Sequence, residues 1–518
     1  MDNYFVSSCK RVKDWICRQF GQKEKKTVHH KKFADGGEVI VWETGRAGEE
    51  AASYENLFLR KEIAGFRTNI RREQSCSIKS LTRDYLYKQL LSSGEYTFDH
   101  MLVIKDPYGE APLTALALFI LEEPACVRVT TKGNLKETDF VTELPKKKEH
   151  RVPILGMYAE KANDIVIEIL DDEGNCVKSH TFTIRTKRLP KSLRNVITVK
   201  KWTDKPAYSN IMINGGVKIH TCVFDIEGKI RYYLSRKPRG YGIFPLSDGH
   251  FFYMEKYISV PSYSNPQTVE SYDMDYFGRV FRTYLTEKGV HHTAEEKAGG
   301  NILTGSNSML EHTEDCVIEI DRQTGEIVWQ LNMAEIFDET YQNMMDWCHV
   351  NSAAYYEKDR TILISLRNVH AVICVDYDTK KLRWILSDPK FWEGTKMTPY
   401  LLQPEGDVKW CYQQHAAFEI ALPDESNPQK KRIIVYDNHW AKRRKAKSFD
   451  KDPLSYVSFY DIDEEKKSVS LHKRFAGPKT RIRANGIYVP DKKRVYNMAG
   501  SYAEPVDGDG GGIFEYDY

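Results

Sequence analysis

The chain has 518 residues, of which 41% are hydrophobic, 29% charged and 12% aromatic, enough for two or three domain cores and unlike a disordered or fibrous composition. Its 76 basic residues are nearly matched by 73 acidic ones, leaving a net charge of +3, so there is no general field for nucleic acid or an anionic membrane. Ten cysteines lie between Cys9 and Cys411 with no C-x-x-C pair, a pattern expected of reduced thiols in a cytoplasm rather than of a disulfide framework.

Met1 to Phe20 carries Lys10, Arg11, Lys13, Asp14 and Arg18 and no apolar h-region, so no secretory signal is expected and the chain is placed in the cytoplasm. Residues 1–85 read as a charged N-terminal segment, partly helical and otherwise unassigned, with helices expected over Glu55–Ile63 and Ile78–Leu91. Residues 86–192 read as a small β-sandwich. Leu116–Leu121, Cys126–Thr131, Ile165–Leu170 and Thr181–Thr186 are apolar or alternating runs, separated by turn formers such as Lys132-Gly133-Asn134. The longest apolar run, Ala115–Leu121, is a strand's length and cannot span a bilayer. Leu189-Pro190-Lys191-Ser192 reads as a linker.

Residues 193–518 carry an imperfect repeat. Asp225-Ile-Glu-Gly228-Lys-Ile230-Arg-Tyr232 returns as Asp275-Tyr-Phe-Gly278-Arg-Val280 and, with one residue more, as Asp321-Arg-Gln-Thr-Gly325-Glu-Ile327-Val-Trp329. Asp376 to Trp384 keeps all but the glycine, and Asp461-Ile-Asp-Glu-Glu is a faint last copy. Each copy is a strand, an acidic tight turn and a strand whose aromatic packs between neighbouring sheets. A period of roughly fifty residues gives about six such units. The expected fold is all-β: a six-bladed β-propeller preceded by a small β-sandwich. The basic runs Lys146–Lys148 and Lys442–Lys447 are expected to be solvated loops.

Several chemistries lack their motifs. There is no G-x-x-x-x-G-K-[ST] phosphate loop, no H-E-x-x-H, no paired-cysteine zinc spacing, no C-x-P-x-R and no G-x-S-x-G, so neither a cofactor nor a metal is expected. What remains are histidines and an arginine where strands meet turns. His291-His292 leads toward the Gly299-Gly300 turn; Asp346-Trp347-Cys348-His349-Val350-Asn351-Ser352 precedes a strand pair. Ile362 to Leu366 is an apolar strand closed by Arg367, and Gln413-Gln414-His415 opens another strand. An arginine closing a buried strand wants an anion. Blade loops at one end of a propeller converge on its channel, so His292, His349, Arg367 and His415 make a candidate oxyanion site. Three histidines could also hold a metal, a reading that the nearby arginine disfavours.

At these residues the chain resembles the PAPS-independent arylsulfate sulfotransferases. The resemblance runs from Pro112 onward and includes His150 to Tyr158, Asp346 to Ser352, Ser365-Leu366-Arg367, Trp384-Ile385-Leu386 and Gln414-His415-Ala416. It implies a commonly dimeric, cofactor-free enzyme that takes an aryl sulfate donor and a phenolic acceptor. It further implies that His415 is the nucleophile that becomes sulfated, that His349, Asn351 and Arg367 hold the sulfuryl oxygens, and that His292 is the earlier site histidine, with His291 beside it as the alternative. Tyr436-Asp437-Asn438-His439 departs from the family's usual Asp-Asn-Gly, which implies a different acceptor side. Two other readings compete: a quinone-cofactor dehydrogenase, whose blades carry signatures like Asp321 to Trp329, and a non-catalytic ligand- or protein-binding propeller.

Overall fold

The computed structural model describes residues 28–518 apart from 35, 64–75, 201–205, 215–219, 237–241, 259–266, 309–311, 343, 423–425, 441–451 and 503–509. The expectations for Met1 to Phe20 and for the basic run Lys442–Lys447 fall outside the described residues. The chain divides into two compact units, Met1–Lys191 with Lys229–Ser235 and Phe277–Arg279, and Ser192–Gly228 with Arg236–Tyr276 and Val280–Tyr518.

The first unit is built on a bent hairpin. Ala115–Thr131 pairs along its length with Phe140–Ile154, but its other edge changes partner. Leu116, Ala117 and Leu118 pair with His100–Lys105, whereas Cys126 to Thr131 pair with Ala162–Leu170. The two strands expected at 116–121 and 126–131 are therefore one, kinked where the register shifts between Ile120 and Ala125. Pro124 lies in the kink, where a residue without an N–H is tolerated. Two layers result, and Phe33 and Phe98 from one stack on His180 of the other at 3.9 and 4.6 Å. Lys146–Lys148 is an exposed stretch of strand rather than a loop.

Residues before 86 join this sheet. Glu38–Trp42 lies parallel to His100–Lys105, and a parallel pair needs a crossover, here the helices Thr44–Ile63 and Cys76–Ser92. The second helix buries Ile78, Leu86, Tyr87 and Leu91. Arg231, wholly buried, fixes the inserted residues 229–235 by donating to Gly156 O and Thr138 O and lying over the Tyr158 ring at 4.0 Å.

The second unit is the propeller, a series of antiparallel sheets. Asn210–Ile213 pairs with Cys222–Asp225. A seven-stranded sheet then holds two blades joined by the long strand Val280–Glu296, outermost in the first blade and innermost in the next. Val350–Tyr356 to Leu382–Leu386 form a four-stranded blade, His415–Ile420 to Ser468–Pro478 with the short Gln403–Pro404 a five-stranded one, and Thr480–Val489 with two following strands the last. The innermost strands pack side by side in chain order from Val280–Glu296 to Thr480–Val489.

The repeats do what their residues suggest. In the fourth copy Asp376 Oδ1 accepts from Thr379 N at 2.8 Å, and Lys380 turns through φ 59°; at Gly228, Gly278 and Gly325 a glycine supplies the positive φ. The aromatic closing each of two copies clasps the next blade's turn. Trp329 stacks on Tyr377 at 5.0 Å and donates to its carbonyl at 3.1 Å, while Trp384 donates to Glu464 at 2.6 Å. The faint last copy is out of register by two residues. Its turn acceptor is Asp463, bound by Lys466 N, and Asp461 lies within the strand opposite Ser470.

Candidate active site

Four innermost strands open irregularly, and the site is made of their heads. Register slips between His291 and Ala294, between Val350 and Ser352, between His415 and Ala417, and between Thr480 and Ile482. Each slip is a bulge, which breaks the alternation of side chains and re-aims them. The backbone reaches left-handed φ at His292 (57°), His349 (56°) and Ala416 (50°), a region that costs a non-glycine residue about 1–3 kcal/mol and tends to cluster at functional sites.

The bulge separates the two adjacent histidines. His291 is wholly buried, and its Nε2 lies 2.8 Å from Ser306 O. It faces Gly305, where a Cβ would sit 2.6 Å from the ring, so glycine makes room for it. His292 meets His291 edge-on, Nδ1 to Nδ1 at 3.3 Å, and brings its own ring centroid to 4.8 Å from that of His349.

Glu314, which the sequence reading did not single out, lies between these two rings. It is fully buried, 2.5 Å from His349 Nδ1 and 3.8 Å from His292 Nδ1. Asp346 also reaches His349 Nδ1, with both oxygens at 3.0 Å. Burial alone pushes the His349 pKa down, but Glu314 and Asp346 outweigh it and raise the value to about 9. Burial drives His292 well below the usual histidine range, more strongly than Glu314 lifts it. One carboxylate thus faces one charged and one neutral imidazole. The donor atoms of His292, Glu314 and His349 lie within 4.8 Å of one another, near enough for a cation. His349, its pKa raised to about 9, and the Glu314 carboxylate 2.5 Å away read as an ion pair.

His415 is held differently. Its Nδ1 lies 2.6 Å from Asn438 Oδ1, and Asn438 Nδ2 donates in turn to Thr480 Oγ1 at 2.9 Å. An amide oxygen only accepts, so Nδ1 carries the proton and Nε2 the lone pair. Burial, then the Arg367 charge, pushes His415 down to about 3, so it is neutral at any ordinary pH. His349 and His415 are both engaged through Nδ1, His349 with carboxylates and His415 with an amide oxygen.

Arg367 donates to Asn368 Oδ1 and Gln413 Oε1, both at 3.2 Å, and to Arg481 O at 3.5 Å. Asn351 Nδ2 donates to Gln414 O at 2.8 Å, tying its strand to the residue before His415. The five residues expected from sequence, His292, His349, Asn351, Arg367 and His415, thus converge on one set of strand heads. Glu314, Asp346, Asn438 and Thr480 complete it. A faint signal for Asn438 existed in Tyr436-Asp437-Asn438-His439. His439 takes φ 52° where a glycine would be at ease, and Asp437 accepts from its backbone N–H at 2.9 Å.

Comparison with known proteins identifies the family. The family model described as Arylsulfotransferase (ASST) matches residues 195–505, and that of the Arylsulfotransferase Ig-like domain matches 102–187. The chain belongs to the arylsulfotransferase family. It is 21% identical to the arylsulfate sulfotransferase AssT of Lelliottia amnigena, over 71% of this chain and 78% of that protein, and 22% identical to AssT of Escherichia coli over the same shares. Among solved structures, the β-propeller domain of Cps50 (Swd1) from Myceliophteria thermophila aligns with TM-score 0.31 and 11% identity, over 76% of this chain and 97% of that one. In arylsulfotransferase terms, the Ig-like model covers the bent-hairpin sandwich and the larger model covers most of the propeller, including every residue of the site.

Proposed function

We propose that this arylsulfotransferase moves a sulfuryl group from an aryl sulfate to a phenol by ping-pong chemistry through a sulfohistidine at His415, without PAPS. The observation that carries this reading is the Nδ1 contact of His415 with a neutral amide, beside Arg367. In the first half-reaction the Nε2 lone pair forms the N–S bond as the ester O–S bond breaks and phenoxide leaves. In the second, an incoming phenol loses its proton, its oxygen forms the new O–S bond, and the N–S bond returns its pair to Nε2. Asn438 accepts from Nδ1–H but adds no charge. A carboxylate there would stabilise the imidazolium character of the sulfated ring and hold the sulfuryl group back.

Arg367 and Asn351 are assigned to the sulfuryl oxygens, and His349 to both the oxygens and the proton. With Nδ1–H committed to carboxylates, His349 offers Nε2–H to the departing phenoxide and recovers a proton from the incoming phenol. Its value near 9 approaches that of a phenol, about 10, and such a match favours transfer in both directions. His292, held neutral, is assigned the remaining hydrogen bond to the ester oxygen. The Asp321 to Trp329 signature, which a quinone enzyme would use for docking blades, is accounted for here by the Trp329 clasp.

The test is release of nitrophenolate from 4-nitrophenyl sulfate by purified protein, with neither nucleotide nor added metal. Release should depend on added phenol, with phenyl sulfate appearing in step, and His415→Ala should abolish it. Phenol-independent release would mean hydrolysis, and no release across donors and acceptors would favour the binding propeller.

A further inference from the structure

Glu314 occupies a position that packing alone does not explain. It is an acidic side chain with no exposure, placed between two imidazoles. Its backbone is clamped on both sides. Its N–H donates to Asn307 Oδ1 at 2.7 Å, its carbonyl accepts from Val350 N at 2.6 Å, and its φ is 57°. The next residue, Asp315, accepts from Ser308 N at 2.9 Å, which holds the turn from the other side. Burying a lone carboxylate is costly unless it is paired. The pairing here is spent on His349, whose own backbone N-terminal to the strand is left-handed.

We propose that Glu314 is a positioning residue for sulfuryl transfer: its carboxylate fixes the Nδ1–H of His349 inward, so that the ring keeps a donor at Nε2 for the reacting oxygen. The inference rests on the reading of the site as a sulfuryl-transfer centre. Asp346, three residues before His349, also accepts at its Nδ1. Glu314 reaches both rings, at 2.5 Å from His349 Nδ1 and 3.8 Å from His292 Nδ1, and so acts more strongly on His349. The other titratable groups acting on His349 or Glu314 are His291, His292, Cys348 and His415. In Glu314→Gln the amide keeps the shape and a hydrogen bond but not the charge.

The test uses the full chain with 15N-labelled histidine, with His349→Gln to assign the His349 signal, and follows both imidazole titration by NMR and kcat/KM against pH. In the wild type, kcat/KM should fall on the alkaline side as His349 loses its proton near 9. In Glu314→Gln the His349 titration and that limb should move down together by at least one pH unit, so that kcat/KM at pH 8.5 drops at least about threefold more than at pH 6.5. Glu314→Asp, which keeps the charge but withdraws it by one methylene, should fall between and covers the case of a poorly folding amide variant. A uniform loss of kcat/KM with the His349 titration unmoved would overturn the proposal and leave Glu314 a structural residue. A wild type that titrates as expected yet transfers no sulfuryl group would reject the reading of the site, with the NMR shift still deciding what Glu314 does to His349.

Discussion

The outer turns and the inner strand heads of the propeller are made from the same blades by opposite means. An outer turn is local: Asp376 binds Thr379, a neighbour three residues on, and a nearby residue takes the positive φ. The strand heads depend on distant partners. His415 leans on Asn438 and Thr480, His349 on Glu314, and Asn351 on the chain before His415. The outer turns repeat because each closes the same gap between blades. The heads differ because each holds a different group, and their bulges break the regular register to do so. Damage to a turn should therefore cost stability, and damage to a head should cost chemistry.

The sharpest way to break this contrast is Arg367→Lys. A point charge replaces the planar fork that bonds Asn368, Gln413 and the Arg481 carbonyl. Transfer from 4-nitrophenyl sulfate should fall by about a hundredfold or more, with the midpoint of thermal unfolding shifted by only a few degrees. Near-normal turnover would remove Arg367 from the site.

Asn438→Asp should have a smaller and more specific effect. His415 is neutral because burial, reinforced by Arg367, holds its value at about 3, so the wild type should show no acid limb from its nucleophile above pH 5. A carboxylate at Nδ1 favours the imidazolium and raises that value. kcat/KM should then drop about tenfold between pH 8 and pH 6, and an unchanged acid side would mean that Asn438 does not set the charge of His415.

Trp384→Phe sharpens the other side of the comparison. It removes the indole donor to Glu464 and leaves the Arg383–Glu464 pair at 2.9 Å in place. A hydrogen bond to a charged acceptor is worth about 2 kcal/mol, so urea unfolding should register a loss of that order while kcat stays within about twofold. A large fall in kcat would show that clasp and site are coupled.

The same contrast governs what could be read from the sequence. The Asp–Gly–aromatic copies were legible because each turn is encoded within nine residues, and the one misplaced copy, Asp461 for Asp463, lacks both glycine and aromatic. Of the five candidate residues, His292, His349, Arg367 and His415 were legible as strand-to-turn positions, and Asn351 through the family resemblance. Glu314 was not, because a single glutamate in Thr313-Glu314-Asp315 resembles any surface turn until the fold buries it against His349. Asn438 was seen only as a departure from a pattern, since its partner is 23 residues away. Strand Glu38–Trp42 was missed although it closes an antiparallel hairpin with Val28–Lys32 ahead of Gly36-Gly37; its other edge pairs in parallel with His100–Lys105 across two helices, a contact that no local pattern announces.

The central claim, a covalent sulfuryl group on His415, is tested most directly by mass spectrometry. The protein is mixed with excess 4-nitrophenyl sulfate in the absence of acceptor, quenched at alkaline pH and digested, and the peptide containing His415 is sequenced. The account predicts one added SO3 on His415, absent from His415→Ala and discharged when phenol is added before the quench. An unmodified His415 in protein that transfers sulfuryl groups from the same donor, or SO3 on another residue that phenol discharges, would contradict it.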